Sequence, residues 1–399
     1  MRDPAPRPAR RLPARRLIAG VAVALAATAG TAVPSDAQAS RYLQPGIHDD
    51  AQILNGDPEV VFPRLEELNA KVIRVTLWWG GPNGVARRSV PADPTNPDDP
   101  AYDWSRYDRV TRYAREFGMQ VVFTVLGTPS WANRGLPWNV APVSAADLKS
   151  FVVAAARRYD GTRLVDGHRL APVKRWVAWN EPNNPVFLKE QYRRVATGWV
   201  VQSARDYARI CNAVVNGVRI GQKGGKVACG ATAPRGNNSP GSTRPSVSPL
   251  AFLDAMKRAG ARGFTAYAHH PYYGSRHETP ATRPKPGPQG QAPTAITLGN
   301  LDVLTRRVVA LYGRGMRIWV TEYGYQTNPP DLLFGVSWAN QARYMREAYL
   351  RLRRDARVDM FIWFLLRDET RSGGWESGLY TADWRAKTAH AAFATLLRP

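Results

Sequence analysis

Two glutamates stand at the ends of two apolar runs: Glu181 in Trp179-Asn180-Glu181-Pro182-Asn183, and Glu322, 141 residues later, in Thr321-Glu322-Tyr323-Gly324-Tyr325. A carboxyl pair of this kind suits the cleavage of an acetal. One group delivers a proton to the departing oxygen, and the other delivers electron density to the carbon on which positive charge develops. A lone Asn-Glu-Pro is an ordinary turn. Two glutamates that each close a strand of a repeating pattern are not accounted for in that way.

Such a pair needs a frame that holds the two groups face to face. Short Val/Ile-rich runs alternate with amphipathic helical stretches along the chain, the pattern of a parallel sheet wrapped by helices. Eight strands are predicted, at residues 46–48, 72–78, 120–126, 175–179, 226–231, 265–269, 317–321 and 359–364. Helices are predicted between them, among others at 104–117, 145–159, 196–215, 249–259, 301–311, 338–353 and 385–397. In the second of these, Leu148, Phe151, Val152 and Ala155 recur at helical spacing behind Ser144, a candidate N-cap. The expected fold class is α/β, a (β/α)8 TIM barrel in a single domain with extended βα loops. Glu181 then falls at the tip of strand four and Glu322 at the tip of strand seven, on the rim where barrels of this kind do their chemistry. Low-complexity segments at 81–102, 234–248 and 273–300 follow strands two, five and six, so they extend that same rim.

Residues 1–39 carry an arginine-rich head (Arg2 to Arg16), an apolar Ala/Gly-rich stretch and Ala37-Gln38-Ala39. This reads as a cleavable export signal, leaving 40–399 as the catalytic domain of a secreted or extracytoplasmic protein, with cell-envelope association left open. Stable membrane insertion is not expected, because a span needs about 20 well-apolar residues and this stretch is mostly Ala, Gly and Thr. The pairs Arg10-Arg11 and Arg15-Arg16 leave the general and the twin-arginine routes both open. The formal charge is +23; without the six Arg and two Asp of residues 1–39 it is 23 − 4 = +19. A basic field attracts acidic polysaccharide, teichoic-type polymer or a membrane surface. Only nine of the 55 basic residues are Lys, however, and the Arg are scattered, as genomic base composition alone would produce. No RNA-recognition signature is present and nucleic acid is not an expected partner. Cys211 and Cys229, the only cysteines, fit no metal site and read either as one bridge or as two buried thiols. No cofactor or metal is expected.

With these motifs in view, the chain resembles the clan of retaining glycoside hydrolases that carry catalytic glutamates on strands four and seven of a (β/α)8 barrel, and looks most similar to families 39 and 5. The resemblance covers nearly all of residues 40–399. It rests on Trp179 to Asn183 with Glu322, supported by Gly127-Thr128-Pro129-Ser130-Trp131 and by His270-Pro271-Tyr272. It implies that Glu181 is the general acid/base and Glu322 the nucleophile, with Asn180 contacting the sugar 2-hydroxyl. It also implies that Tyr272 hydrogen-bonds the nucleophile and that His270 contacts sugar or orients the acid. Arg74 lies inside an apolar run, where an unpaired guanidinium is very costly, so it is expected to pair with Glu322. His269 should point the opposite way from His270 and be structural. Trp363 is expected as an aromatic floor under the sugar and Trp131 as a stacking platform, with Trp78, Trp79, Trp138 and Tyr325 as further stacking candidates. The stretch Leu365 to Glu369 departs from the more polar motif common in family 5.

The function expected from these residues is that of an exported, monomeric, metal-independent retaining glycoside hydrolase. It would act within the chain (endo) on a poly- or oligosaccharide. Two alternatives share the fold. A non-catalytic polysaccharide-binding barrel would have no use for both glutamates, and a transglycosylase shares every residue and differs in excluding water.

Overall fold

Runs such as Val72–Trp78 and Gln120–Leu126 are apolar at nearly every position, so both faces of each strand must be covered. In the computed structural model, which describes residue 40 and residues 43–286, 293–371 and 373–397, they are. The predicted export signal, residues 1–39, lies outside the described residues. Eight strands pair in chain order, all parallel, and the last closes on the first: Gln44–His48, Val72–Trp78, Gln120–Leu126, Arg175–Ala178, Lys226–Thr232, Ala266–His269, Arg317–Tyr323 and Val358–Phe364. They are called strands one to eight below. The expected (β/α)8 barrel is therefore the observed fold.

Alternation along the strands sorts side chains into two cores. Val72, Val122, Val177, Ala268, Trp319, Met360 and Ile362 pack together inside the barrel. Ile73, Val75, Phe123, Trp176, Tyr267, Phe361 and Trp363 instead face the surrounding helices. Those helices start where the local chemistry dictates. Ser144 Oγ accepts from the Ala146 amide at the head of Ala145–Arg158, whose Leu148, Phe151, Val152 and Ala155 are buried. The next helix, Gln202–Gly221, lies close against it because Gly217 and Gly221 carry no side chain. A Cβ on Gly217 would sit 2.7 Å from the Val152 Cβ, and one on Gly221 would sit 2.5 Å from the Ala156 Cβ. Cys211 on that helix is bridged to Cys229 on strand five, with Cα atoms 5.9 Å apart.

Two hairpins interrupt the βα rhythm. Leu164–Val165 pairs with His168–Arg169 around Asp166-Gly167, both at positive φ (49° and 78°), the Asp-Gly signature of a tight two-residue turn. Tyr192–Val195 pairs with Gly198–Val201. The helix predicted from residue 196 therefore begins only at Gln202, because β-branched Val195, Val200 and Val201 flank Gly198, whose φ is +121°. No helix among the described residues is long and apolar enough to cross a membrane.

Candidate active site

Strand two sends Val72 inward, and Arg74, two residues on, follows it into the barrel mouth, where it is 1% exposed. Every part of the guanidinium is engaged. Nε donates to Thr124 Oγ1 (2.8 Å), Nη1 to Glu322 Oε1 (2.5 Å) and to the Thr321 carbonyl (3.1 Å), and Nη2 to Asn180 Oδ1 (2.7 Å). This is the geometry in which a buried cation is tolerated, since each donor has an oxygen and one oxygen is charged. The bond to Oδ1 also fixes the Asn180 amide, leaving its NH2 as the free, donating end.

Glu322 reaches the mouth because the pairing of strand seven with strand eight slips between Val320 and Tyr323, which breaks the alternation. Its second oxygen accepts from the Tyr272 hydroxyl at 3.3 Å and lies 3.6 Å from His270 Nδ1. Burial alone pushes this carboxyl up. The positive charges of His270 and Arg74 outweigh it, aided by His48 and by the Arg74 hydrogen bond, and hold the carboxyl at about 2. Glu322 is thus a carboxylate at any ordinary pH.

Glu181 sits one turn past strand four on a backbone that L-residues avoid: Trp179 has φ +67° and Glu181 φ +38°. The conformation is held from several sides. The Glu181 amide donates to the Ala231 carbonyl (2.8 Å), and Trp179 Nε1 donates to the Phe187 carbonyl (2.7 Å). The Asn183 side chain ties the turn to Ala233 and Val247. The carboxyl receives His270 Nδ1 at 3.0 Å on Oε1 and Asn184 Nδ2 at 3.0 Å on Oε2. His270 is anchored through Nε2 to Thr321 Oγ1 (3.0 Å), so one ring stands between the two glutamates. An oxygen of each glutamate and a ring nitrogen of His270 all lie within 4.8 Å of one another. These three side chains could together offer ligands to a cation, but Arg74 already supplies a positive charge to Glu322.

The structure thus brings Glu181, Glu322, Asn180, Arg74, His270 and Tyr272 into one constellation. Adjacent His269 points outward and is fully buried, bonded to Thr232 Oγ1 and the Ile296 carbonyl, with its ring pKa pushed down to about 3 by burial. Two expected site residues are not there. Trp363 is completely buried among the helices and donates to the Ser377 carbonyl. The inward phase of strand eight runs Met360, Ile362, Phe364, so it is Phe364 that lines the cavity. Trp131 packs edge-on against Trp79, donates to the Ala86 carbonyl and is outside the cavity lining. Of the other aromatics, Trp78 lines the cavity with Trp138 edge-on behind it, whereas Trp79 and Tyr325 are fully buried.

The cavity above the glutamates has a volume of about 1360 Å³. Among the lining residues not singled out from the sequence are His48 at the tip of strand one, Asp50 beside it, Asn184, and Trp375 on the loop after strand eight. A position at the C-terminal tip of strand one was the available signal for His48. Its Nδ1 donates to the Arg74 carbonyl (2.9 Å), and burial, followed by the Arg74 charge, pushes its pKa down. The titratable lining is mostly carboxylic. Asp50, Glu181, Glu322, Asp331 and Glu376 face the cavity, the last pushed up to about 7 by burial, and Arg235 is the one Arg or Lys among the described lining residues, with Arg74 paired to Glu322 beneath them, although the whole chain is +23.

Neither the models of known protein families nor the curated proteins match this sequence. Solved structures do match in fold. A family 39 glycoside hydrolase from Bacteroides cellulosilyticus WH2 superposes with a TM-score of 0.62 at 17% identity over 90% of this chain, which spans 64% of that protein's length. A monomeric beta-xylosidase from Caulobacter crescentus CB15 gives 0.58 at 15% identity, covering 91% of this chain and 69% of the other. A family 1 β-glucosidase from Thermotoga maritima gives 0.55 at 12% identity, covering 90% and 97%.

Proposed function

We propose that this chain is a retaining glycoside hydrolase that cleaves O-glycosidic bonds of a poly- or oligosaccharide by double displacement. The observation that carries this reading is the pair of facing carboxyl groups, with oxygens of Glu181 and Glu322 within 4.8 Å. An inverting enzyme keeps its carboxyls roughly 6.5–9.5 Å apart to admit a water, whereas a retaining one holds them at roughly 5–5.5 Å. The two also sit in different surroundings, as two different roles require.

In this mechanism Glu322, ionised and aimed by Arg74 and Tyr272, attacks the anomeric carbon. Glu181 gives its proton to the departing oxygen. The resulting ester occupies Glu322, and Glu181, left as a carboxylate by its own proton transfer, is ready to serve as base. It then takes a proton from the water that frees the sugar, with net retention. Asn180, its amide fixed by Arg74, donates from Nδ2 to the sugar 2-hydroxyl, a bond that strengthens as the ring becomes cationic. His270 keeps Glu181 oriented through both steps.

The acidic lining favours a neutral or cationic glycan over a polyanionic one, since like charges at close range are repelled most strongly where water is excluded. A cavity of about 1360 Å³ holds more than one ring, which favours a substrate bound on both sides of the cleaved bond. We further assign the protein to the outside of the cytoplasmic membrane, as a monomer. The Cys211–Cys229 bridge supports that location, because such bonds persist in oxidising compartments.

The test is Glu322→Ala assayed with an aryl glycoside. Turnover is lost, added azide restores it by entering the vacated space, and proton NMR shows the azide product with inverted configuration, whereas the unmodified protein releases a first product that retains it. Near-normal activity of the variant, or inversion by the unmodified protein, would overturn the assignment.

A further inference from the structure

The cavity is not uniform along its length. Its floor is polar, formed by Glu181, Glu322, Asn180 and Asp50, while its mouth carries Leu332, Leu333, Phe334 and Trp375. These four are 75%, 71%, 38% and 39% exposed, and the two leucines are the most exposed large apolar side chains other than in the segments left undescribed. Slack in the loop does not explain them. Asp331 Oδ1 accepts from the Leu333 and Phe334 amides, and the Gly335 amide donates to the Asp331 carbonyl. The loop after strand six then clamps the ridge from outside: Tyr273 Oη donates to the Phe334 carbonyl (3.0 Å) and Arg276 Nη1 to the Leu332 carbonyl (2.9 Å). Both backbone groups of Phe334, the Leu333 amide and the Leu332 carbonyl are held in hydrogen bonds, and the apolar side chains face the cavity and the solvent.

Resting on the glycosidase reading, we propose that the ridge Leu332 to Phe334, with Trp375, is a subsite for an apolar leaving group, so that the substrate is an amphiphile: a glycan joined to an alkyl, acyl-bearing or aryl aglycone. Three features favour this over a further sugar. Sugar rings are met by flat aromatic faces together with hydrogen-bonding side chains, whereas the four side chains here carry two leucines and no polar group other than the Trp375 indole N–H. The apolar surface is continuous with the catalytic cavity and is not an isolated patch. The chemistry of attachment is also right. An alkyl or aryl group joined to a sugar through oxygen lies beyond the glycosidic bond, so its binding in the same cavity as Glu181 and Glu322 makes it the leaving group.

Burying one methylene against such a surface improves kcat/KM about fourfold, so three buried methylenes give on the order of 50-fold. The experiment compares methyl and n-octyl β-D-glucosides, and the corresponding β-D-xylosides, below the micelle concentration, with the intact protein and with the double variant Leu332→Asp, Leu333→Asp. Both substitutions are at exposed positions, and circular dichroism checks the fold. The expected result is an octyl-to-methyl ratio of kcat/KM on the order of 50 that falls to within a few-fold of one in the variant. A ratio near one in the intact protein overturns the subsite and leaves the glycosidase reading in place. If no glycoside is hydrolysed, the glycosidase reading fails and calorimetric titration decides the subsite separately. Tighter binding of octyl than methyl glucoside, lost in the variant, supports it, and equal binding overturns it.

Discussion

Replacing Arg74 by Met keeps the buried stem and removes the charge, which isolates what the guanidinium does to Glu322. The pair is 2.5 Å from Nη1 to Oε1, with charge centres about 4 Å apart; at an effective dielectric constant of about 20 the attraction is about 4 kcal/mol. That corresponds to about three pKa units. The Glu322 carboxyl, now held at about 2, moves to about 5. The assay is kcat/KM for 4-nitrophenyl β-D-xyloside or glucoside from pH 3 to 7, read by stopped samples, with circular dichroism at each pH. For the unmodified protein Glu322 contributes no acid limb down to pH 3. For Arg74→Met, kcat/KM falls about tenfold per pH unit below about pH 5, on top of a lower plateau. Stability follows with a defined sign. A carboxyl depressed from 4.5 to about 2 stabilises the fold above its unfolded pKa, by about 3 kcal/mol, and this is lost as pH falls through about 2. In the variant the folded pKa no longer lies below the unfolded one, so that contribution vanishes and the urea midpoint at pH 7 drops. Superimposable acid limbs for the two proteins would refute the idea that Arg74 keeps Glu322 ionised.

Glu181→Gln separates leaving groups: hydrolysis of alkyl glycosides falls by about 10²- to 10⁴-fold, whereas a 2,4-dinitrophenyl glycoside still gives a burst of dinitrophenolate followed by slow turnover. Equal losses on both substrates, with no covalent adduct on Glu322 by mass spectrometry, would remove Glu181 from the acid/base role. Cys211→Ala with Cys229→Ala lowers unfolding stability by about 3 kcal/mol in urea and leaves kcat unchanged, because the bridge joins a helix to the outer face of strand five and not to the cavity. A large loss of kcat at unchanged stability would contradict that placement.

The barrel was readable because its strands are buried on both faces: Val72–Trp78 and Gln120–Leu126 carry the whole signal in their own composition, and the observed bounds match the expected ones. Glu181, Glu322 and Arg74 were readable for the opposite reason, since charged groups at the ends of apolar runs or inside them need a partner or a task. What failed was the phase of a single strand. In Phe361-Ile362-Trp363-Phe364 every residue is apolar, so nothing local says which two face inward, and the neighbours across the barrel decide for Ile362 and Phe364. Trp131 failed differently: it follows a strand as a rim residue should, but its indole is spent on Trp79 and the Ala86 carbonyl. Asn184 and Trp375 had no distinguishing pattern, because their importance comes from where separate loops meet, and His48 carried only its place at the tip of strand one.

The segregation of charge, with carboxylates around the cavity and an arginine excess over the rest of the chain, separates adsorption from turnover. A polyanionic matrix, where one is present, would be drawn to the outside of the molecule by many weak, salt-sensitive contacts and repelled from the cleft, so that an adsorbed molecule would keep its mouth open. Mobility on such a surface would be confined to two dimensions, with encounter rates set by the ionic strength of the medium and chemistry set by groups that the medium scarcely screens.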